Sequence, residues 1–213
     1  MNLPIILRAA LLDALPSMHL PDDTERVDRW LQYLELLERW NRTYNLTSVR
    51  DPAQMLTRHL LDSLAMALHW HADEIADMGA GAGLPGVPLA ILHPQRRVVL
   101  IESNGKKARF LREAKRSLGL DAVEVVEQRA EAYAPARSLR AATARAVAPI
   151  SVLGDWCRSW LAADGVLLAM KGPGHREELA ELPAGFALDS VQALSVPGLE
   201  GERVLIILRR LAT

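Results

Sequence analysis

The chain has 213 residues, half of them hydrophobic and 24% charged, which suits one soluble domain with a real core rather than a fibrous or disordered chain. Net charge is −1, so the overall balance does not advertise nucleic-acid binding. The single cysteine, Cys157, excludes an internal disulfide and any multi-thiolate metal site, and points to a reducing, cytoplasmic setting.

The opening Met1–Leu7 has the apolar character of a signal peptide, but Arg8 and Asp13 interrupt it and no basic segment precedes it. No stretch reaches the roughly 18 uncharged apolar residues that a membrane span needs. Asn41-Arg42-Thr43 and Asn45-Leu46-Thr47 match the glycosylation sequon, which goes unused without export. Residues 3 to 15 read as a short amphipathic helix closed by Pro16. A longer helix follows from Asp22 to about Arg42, with acids in its first turn to complement the helix dipole. Val27, Trp30, Leu31, Leu34, Leu37 and Trp40 recur there at helical spacing, which makes both tryptophans packing residues. Asp51-Pro52 supplies an N-cap and a first-turn proline for a third helix reaching about Trp70. These helices form an N-terminal cap, residues 1–72, ahead of a second unit, residues 73–213.

From Glu74 the rhythm becomes alternating strand and helix. Strands are expected at Glu74–Met78, Arg97–Glu102, Val123–Glu127, Ala141–Val147 and Gly165–Met170, with helices at Val87–Leu92, Lys106–Leu118 and Ile150–Leu161. Such alternation implies a parallel sheet covered on both faces. Phe186–Val196 and Val204–Leu208 then read as two strands joined too closely for a parallel crossover. The fold class is therefore α/β and Rossmann-like, a mostly parallel seven-stranded sheet with an antiparallel C-terminal strand and an N-terminal helical cap.

The chemistry concentrates at Asp77-Met78-Gly79-Ala80-Gly81-Ala82-Gly83-Leu84-Pro85-Gly86, a glycine-rich loop between strand and helix. That layout lets a nucleotide-like ligand lie close to backbone N–H groups. Gly81 to Gly86 fits the dinucleotide pattern G-x-G-x-x-G, and Asp77 to Gly83 equally fits the D-x-G-x-G-x-G loop of S-adenosylmethionine-dependent enzymes. Glu102, at the end of the second strand, suits ribose hydroxyls in either case. Three features favour the sulfonium cofactor: the acid ahead of the glycines, the antiparallel ending, and too few residues after the sheet for a dehydrogenase's substrate domain.

With Leu84-Pro85-Gly86-Val87-Pro88-Leu89 behind the glycines, this stretch resembles the signature of the bacterial RsmG/GidB methyltransferases. Arg39-Trp40-Asn41, Tyr44-Asn45-Leu46-Thr47, His59-Leu60-Leu61-Asp62-Ser63, Gly105-Lys106-Lys107, Arg109-Phe110-Leu111, Ser151-Val152-Leu153 and Leu168-Ala169-Met170-Lys171-Gly172 match in order, over nearly the whole chain. Ala80 departs from the usual Ser or Thr, losing a hydroxyl contact, and Met78 replaces a usually β-branched residue.

The resemblance implies S-adenosyl-L-methionine as cofactor and N7 of a guanine in 16S ribosomal RNA, within a small ribosomal subunit or assembly particle, as methyl acceptor. It places cofactor contacts on Gly79, Leu84, Ala130, Glu131 and Arg145, to which the loop pattern adds Gly81 and the strand-end acid Glu102; Lys171, at the fifth strand's end, and Arg145 are the candidates toward the substrate. On that resemblance Glu131 is expected to accept from an adenine amino or ribose hydroxyl group, and Arg145 to clamp a carboxylate or phosphate. Guanine N7 carries a lone pair and no proton, so no general base and no catalytic residue is assigned. The six histidines show no metal spacing. A monomer is expected. Eight basic residues against two acids between Arg96 and Arg116 form the candidate phosphate-binding cluster. The alternatives are a nicotinamide-dependent oxidoreductase and a non-catalytic ribosome-assembly factor.

Overall fold

Neighbouring residues of the apolar runs after Glu74 must point to opposite sides of a sheet, and both sides here are covered. The computed structural model describes residues 3–212. It places seven strands in one sheet: β1 (Glu74–Met78), β2 (Arg97–Ile101), β3 (Val123–Val126), β4 (Leu139–Arg145), β5 (Leu161–Lys171), β6 (Phe186–Ala193) and β7 (Val204–Arg210). Their spatial order is β3-β2-β1-β4-β5-β7-β6. The first five pair in parallel, and β7 runs antiparallel to both β5 and β6.

The antiparallel strand is inserted into the sheet rather than added at its edge. Its composition explains the position. Val204–Leu208 are all buried, as an interior strand demands, whereas β6 carries Asp189, Ser190 and Gln192 and leaves Leu188 43% exposed. A half-polar strand is the safer edge. β5 begins at Leu161, paired with Leu139, earlier than the apolar run from Gly165 suggests. For that reason α7 (Ile150–Cys157) stops short of Leu161.

Before the sheet come α1 (Leu3–Ser17) and α2 (Thr24–Tyr44). Pro16 lies inside the last turn of α1 instead of closing it. Asp23 caps α2, its side chain accepting from the Arg26 N–H at 3.1 Å. Asp51 caps the third helical run as its sequence predicts, accepting from Ala53 N–H at 3.1 Å. That run comprises α3 (Pro52–Met55), a π-helical segment (Leu56–Leu61) and α4 (Asp62–Leu64), so it ends well before Trp70. The remaining helices are α5 (Gly86–Leu92), α6 (Gly105–Ser117) and the short α8 (His175–Glu178).

Alternate strand residues feed two apolar clusters. Ile75, Val98, Leu100, Leu168 and Leu205 join the N-terminal helices, α5 and α6 on one face. Ala76, Val99, Ile101, Leu167 and Ile206 meet Ile150, Leu153, Cys157 and Trp160 on the other. The helices before β1 thus share one continuous core with the sheet. Trp30 is buried in that core, and Trp40 packs edge-on to Phe110 at 5.7 Å, as packing residues do. No helix among the described residues is long and apolar enough to cross a membrane.

Candidate active site

Strand order reverses between β1 and β4, and open α/β sheets bind ligands at such a point, beyond the carboxyl ends of the strands. A cavity of about 800 Å³ lies there. Gly79, Gly81, Leu84, Glu102, Ala130, Glu131, Arg145 and Lys171 all line it. The sheet thus brings together every candidate residue, from stretches as far apart as the first glycine loop and the end of β5.

The loop after β1 turns on three glycines with positive φ, Gly79 at 69°, Gly81 at 59° and Gly83 at 87°, a conformation costly for side chains with a Cβ. Asp77, the acid that separated the two cofactor readings, does not line the cavity. It is fully buried, and Oδ2 accepts from the Gly86 N–H at 2.9 Å, tying the end of β1 to the start of α5. Gly86 must be glycine for closeness: a Cβ there would stand 2.3 Å from Leu100 and 2.8 Å from Asp77 Oδ2. Burial pushes the Asp77 carboxyl up to about 7, against the opposing pull of the Gly86 N–H and Arg145. Its Oδ1 has no hydrogen-bond partner among the described residues.

Glu102 follows β2 with its carboxylate at the cavity. Oε2 accepts from Gly81 N–H at 2.8 Å and Oε1 from Asn104 N–H at 2.7 Å. Glu131 sits exposed on a single 3₁₀ turn, Ala130–Ala132. Arg145 and Lys171 are more occupied than isolated cations at strand ends would be. Arg145 Nη1 donates to Asp62 Oδ2 at 2.6 Å and to the Arg58 carbonyl at 2.8 Å. Lys171 Nζ donates to the Ala148 carbonyl at 2.6 Å and pairs with Glu178 Oε2 at 2.8 Å.

One wall of the cavity comes from residues given no role by spacing alone. Buried Asn41 donates to the Val49 carbonyl at 3.0 Å and accepts from Thr47 N–H at 2.9 Å, which builds the turn after α2. That turn puts Thr47 Oγ1 2.8 Å from His59 Nε2. Burial, then the charge of Arg145, pushes His59 down to about 4, so its ring is neutral near pH 7. Asp62 also accepts from Arg203 Nε at 3.2 Å and so bridges two arginines from β4 and the turn before β7. The motifs holding Asn41, Thr47, His59 and Asp62 were visible in sequence, but their meeting was not.

The basic cluster divides. Arg96 donates to the Trp70 carbonyl and lies 5.0 Å from its ring, Arg97 pairs with Glu74 and Glu124, and Arg112 and Arg116 pair with Glu127 and Glu113. Only Lys107 of the eight lines the cavity, joined there by Arg58 and Arg129. Among the described residues no group of three or more His, Cys, Asp or Glu side chains is gathered as for a metal ion.

The sheet order, the inserted antiparallel strand and a glycine loop at the reversal point define a class I methyltransferase fold. Solved structures with that fold include a methyltransferase from Geobacter sulfurreducens (TM-score 0.57, 16% identity, 85% of this chain and 89% of that one). An O-methyltransferase from Bacillus cereus in complex with SAH is similar (TM-score 0.55, 18% identity, 84% and 90%). At the level of sequence, the family model for rRNA small subunit methyltransferase G, GidB, matches residues 26–207. A ribosomal RNA small subunit methyltransferase G from Xanthomonas campestris pv. campestris (strain B100) is 50% identical over 98% of this chain and 97% of the relative. One from Stenotrophomonas maltophilia (strain K279a) is 52% identical over 96% and 95%. The chain belongs to this family, and the oxidoreductase alternative has no support.

Proposed function

We propose that the cavity binds S-adenosyl-L-methionine and that the chain methylates N7 of a guanine in 16S ribosomal RNA, acting as a cytoplasmic monomer on a small ribosomal subunit or its assembly particle. The observation that carries this reading is the convergence of all eight candidate residues on one cavity at the β1–β4 reversal. The fit to the cofactor rests on a backbone loop of positive-φ glycines facing a carboxylate, Glu102, held in place by two N–H groups. Glu102 would take the ribose hydroxyls, Gly79, Gly81 and Leu84 the approach of the cofactor to the backbone, and Ala130 and Glu131 the adenine end. Arg145, already turned toward Asp62, would share its guanidinium with the cofactor's carboxylate or an RNA phosphate. Lys171 would face the substrate side.

Bound there, the cofactor supplies an activated methyl group. The protein's own contribution is orientation: guanine N7 presents its lone pair without a proton to remove, so a base is unnecessary and alignment governs the rate. Residues 1–72 act as a cap that completes one wall through Thr47, His59 and Asp62, and residues 73–213 carry the cofactor loop.

The test is transfer of labelled methyl from S-adenosylmethionine to small-subunit RNA or particles lacking the mark. No transfer to either would end the proposal. Gly81→Val checks the pocket: a Cβ there meets no protein atom nearer than 3.8 Å, so the new side chain occupies space at the cavity and strains the loop. Transfer should fall about a hundredfold or more while unfolding stays cooperative, and unchanged transfer would overturn the pocket assignment.

A further inference from the structure

Besides the Ala80 N–H bond to the Ile101 carbonyl at 3.0 Å and the Asp77 tie at Gly86, two side chains from other elements hold the glycine loop, and only one of them faces the cavity. In front, Glu102 Oε2 accepts from Gly81 N–H at 2.8 Å. Behind, the Tyr33 hydroxyl donates to the Ala82 carbonyl at 2.7 Å. Tyr33 lies on α2, is completely buried, and is not among the residues lining the cavity.

The rear hold is part of a longer seam. Arg26 Nε donates to the Leu92 carbonyl at 3.1 Å, and Trp30 Nε1 donates to the Pro88 carbonyl at 3.2 Å. Positions 26, 30 and 33 fall on one face of a helix, spaced by four and three residues. Arg26 and Trp30 grip α5 itself, near its end and its first turn. Tyr33 alone reaches the loop. Its contact falls on Ala82, between two glycines at positive φ, in the stretch whose backbone freedom is greatest once unheld. Burial raises the phenol above its ordinary range, so the hydroxyl keeps its proton and remains a donor.

The front hold is the one a ligand disturbs. On the reading given under Proposed function, on which this inference rests, Glu102 receives ribose hydroxyls and must share the oxygen that now accepts from Gly81. The rear hold is untouched by anything entering the cavity. We propose that Tyr33 is a positioning residue for the cofactor loop: through the Ala82 carbonyl it keeps the loop in its binding shape from the N-terminal helix, independently of Glu102.

Tyr33→Phe removes one oxygen and leaves the ring. In calorimetry with S-adenosylhomocysteine it should weaken binding about three- to tenfold, the loss of one buried hydrogen bond. The KM for S-adenosylmethionine should rise by the same factor, with kcat at saturation unchanged. A role in stability alone would lower the melting temperature and leave both constants as they were. Trp30→Phe is the comparator, since it loosens α5 without reaching the loop, and should cost stability but not affinity.

Wild-type affinity in Tyr33→Phe, or an equal loss of affinity in Trp30→Phe, would overturn the proposal. A second measurement does not depend on either variant folding. In the ligand-free wild type the amides of Gly83 and Leu84, which donate to the Ala80 carbonyl at 2.7 and 3.0 Å, should be protected from hydrogen exchange. Their rapid exchange would overturn it too. Wild-type protein that fails to bind S-adenosylhomocysteine would overturn the methyltransferase reading first and this inference with it, an outcome distinct from the variant comparison.

Discussion

Asp77 and His59 pull the pH dependence of stability in opposite directions. The folded pKa of Asp77, near 7, lies above its ordinary value of 3.8, so its contribution is complete below about 4 and is lost as pH rises through 7. His59 has a folded pKa near 4, below its ordinary 6.5, so its contribution is present above 6.5 and is lost as pH falls through 4. In the wild type the two slopes partly cancel between pH 4 and 7. Asp77→Asn should therefore reveal a steeper acid loss, and His59→Gln a stability that declines toward neutrality, each by a few kcal/mol across the window. Urea unfolding at several pH values measures both, and variants with the wild-type profile would contradict the burial argument. Sequence marked Asp77 as special, since an acid ahead of glycines is unusual in dinucleotide sites. Whether it binds a ligand or the loop depends on which way its carboxylate turns, and only packing decides that.

Among the elements, the run from Pro52 to Leu64 is the one whose form is least visible in its periodicity. The π-helical segment shifts the phase of the turn after it, and π turns cluster at functional sites. Asp62, just beyond it, fastens the run to β4 through Arg145 and to the turn before β7 through Arg203. Removing one member of a buried ion pair strands its partners, a loss of about 3–5 kcal/mol. Arg203 remains 30% exposed, so the low end, about 3 kcal/mol, is expected for Asp62→Asn in urea unfolding. Arg203→Gln added in that background should cost little more, because its partner is already gone. The end of α2 carries a local signal in Asn45, which takes the left-handed conformation (φ 51°) that asparagine tolerates at a helix end, although the helix runs to Tyr44, past the Arg42 that periodicity suggests.

At the scale of the whole molecule, a net charge of −1 conceals a division of labour among the cations. Arg96, Arg97, Arg112 and Arg116 are committed to internal partners. Arg58, Lys107 and Arg129 line the cavity with no carboxylate partner among the described residues. If RNA phosphates meet the rim, alanine at each of these three should flatten the salt dependence of RNA binding by about 0.7 to 1 in log–log slope. Arg96→Ala and Arg112→Ala should leave it unchanged. Filter binding across a salt series reads this directly, and an equal effect from both groups would mean the cluster acts as one diffuse patch.

Residue order alone was enough for the alternation of strand and helix, the glycine loop and the acid at the end of the second strand. Each depends on residue types within one or two turns or strands of each other, where spacing and backbone preference speak directly. Only the packed chain could set β7 inside the sheet, turn Asp77 toward Gly86, occupy Arg145 with Asp62 and bring α2 under the loop. Those outcomes join residues 49 apart for Tyr33 and Ala82, and 141 apart for Asp62 and Arg203. Nothing in local periodicity links such positions. They meet because apolar faces must be buried together, and the polar groups carried along then take the partners that burial brings within reach.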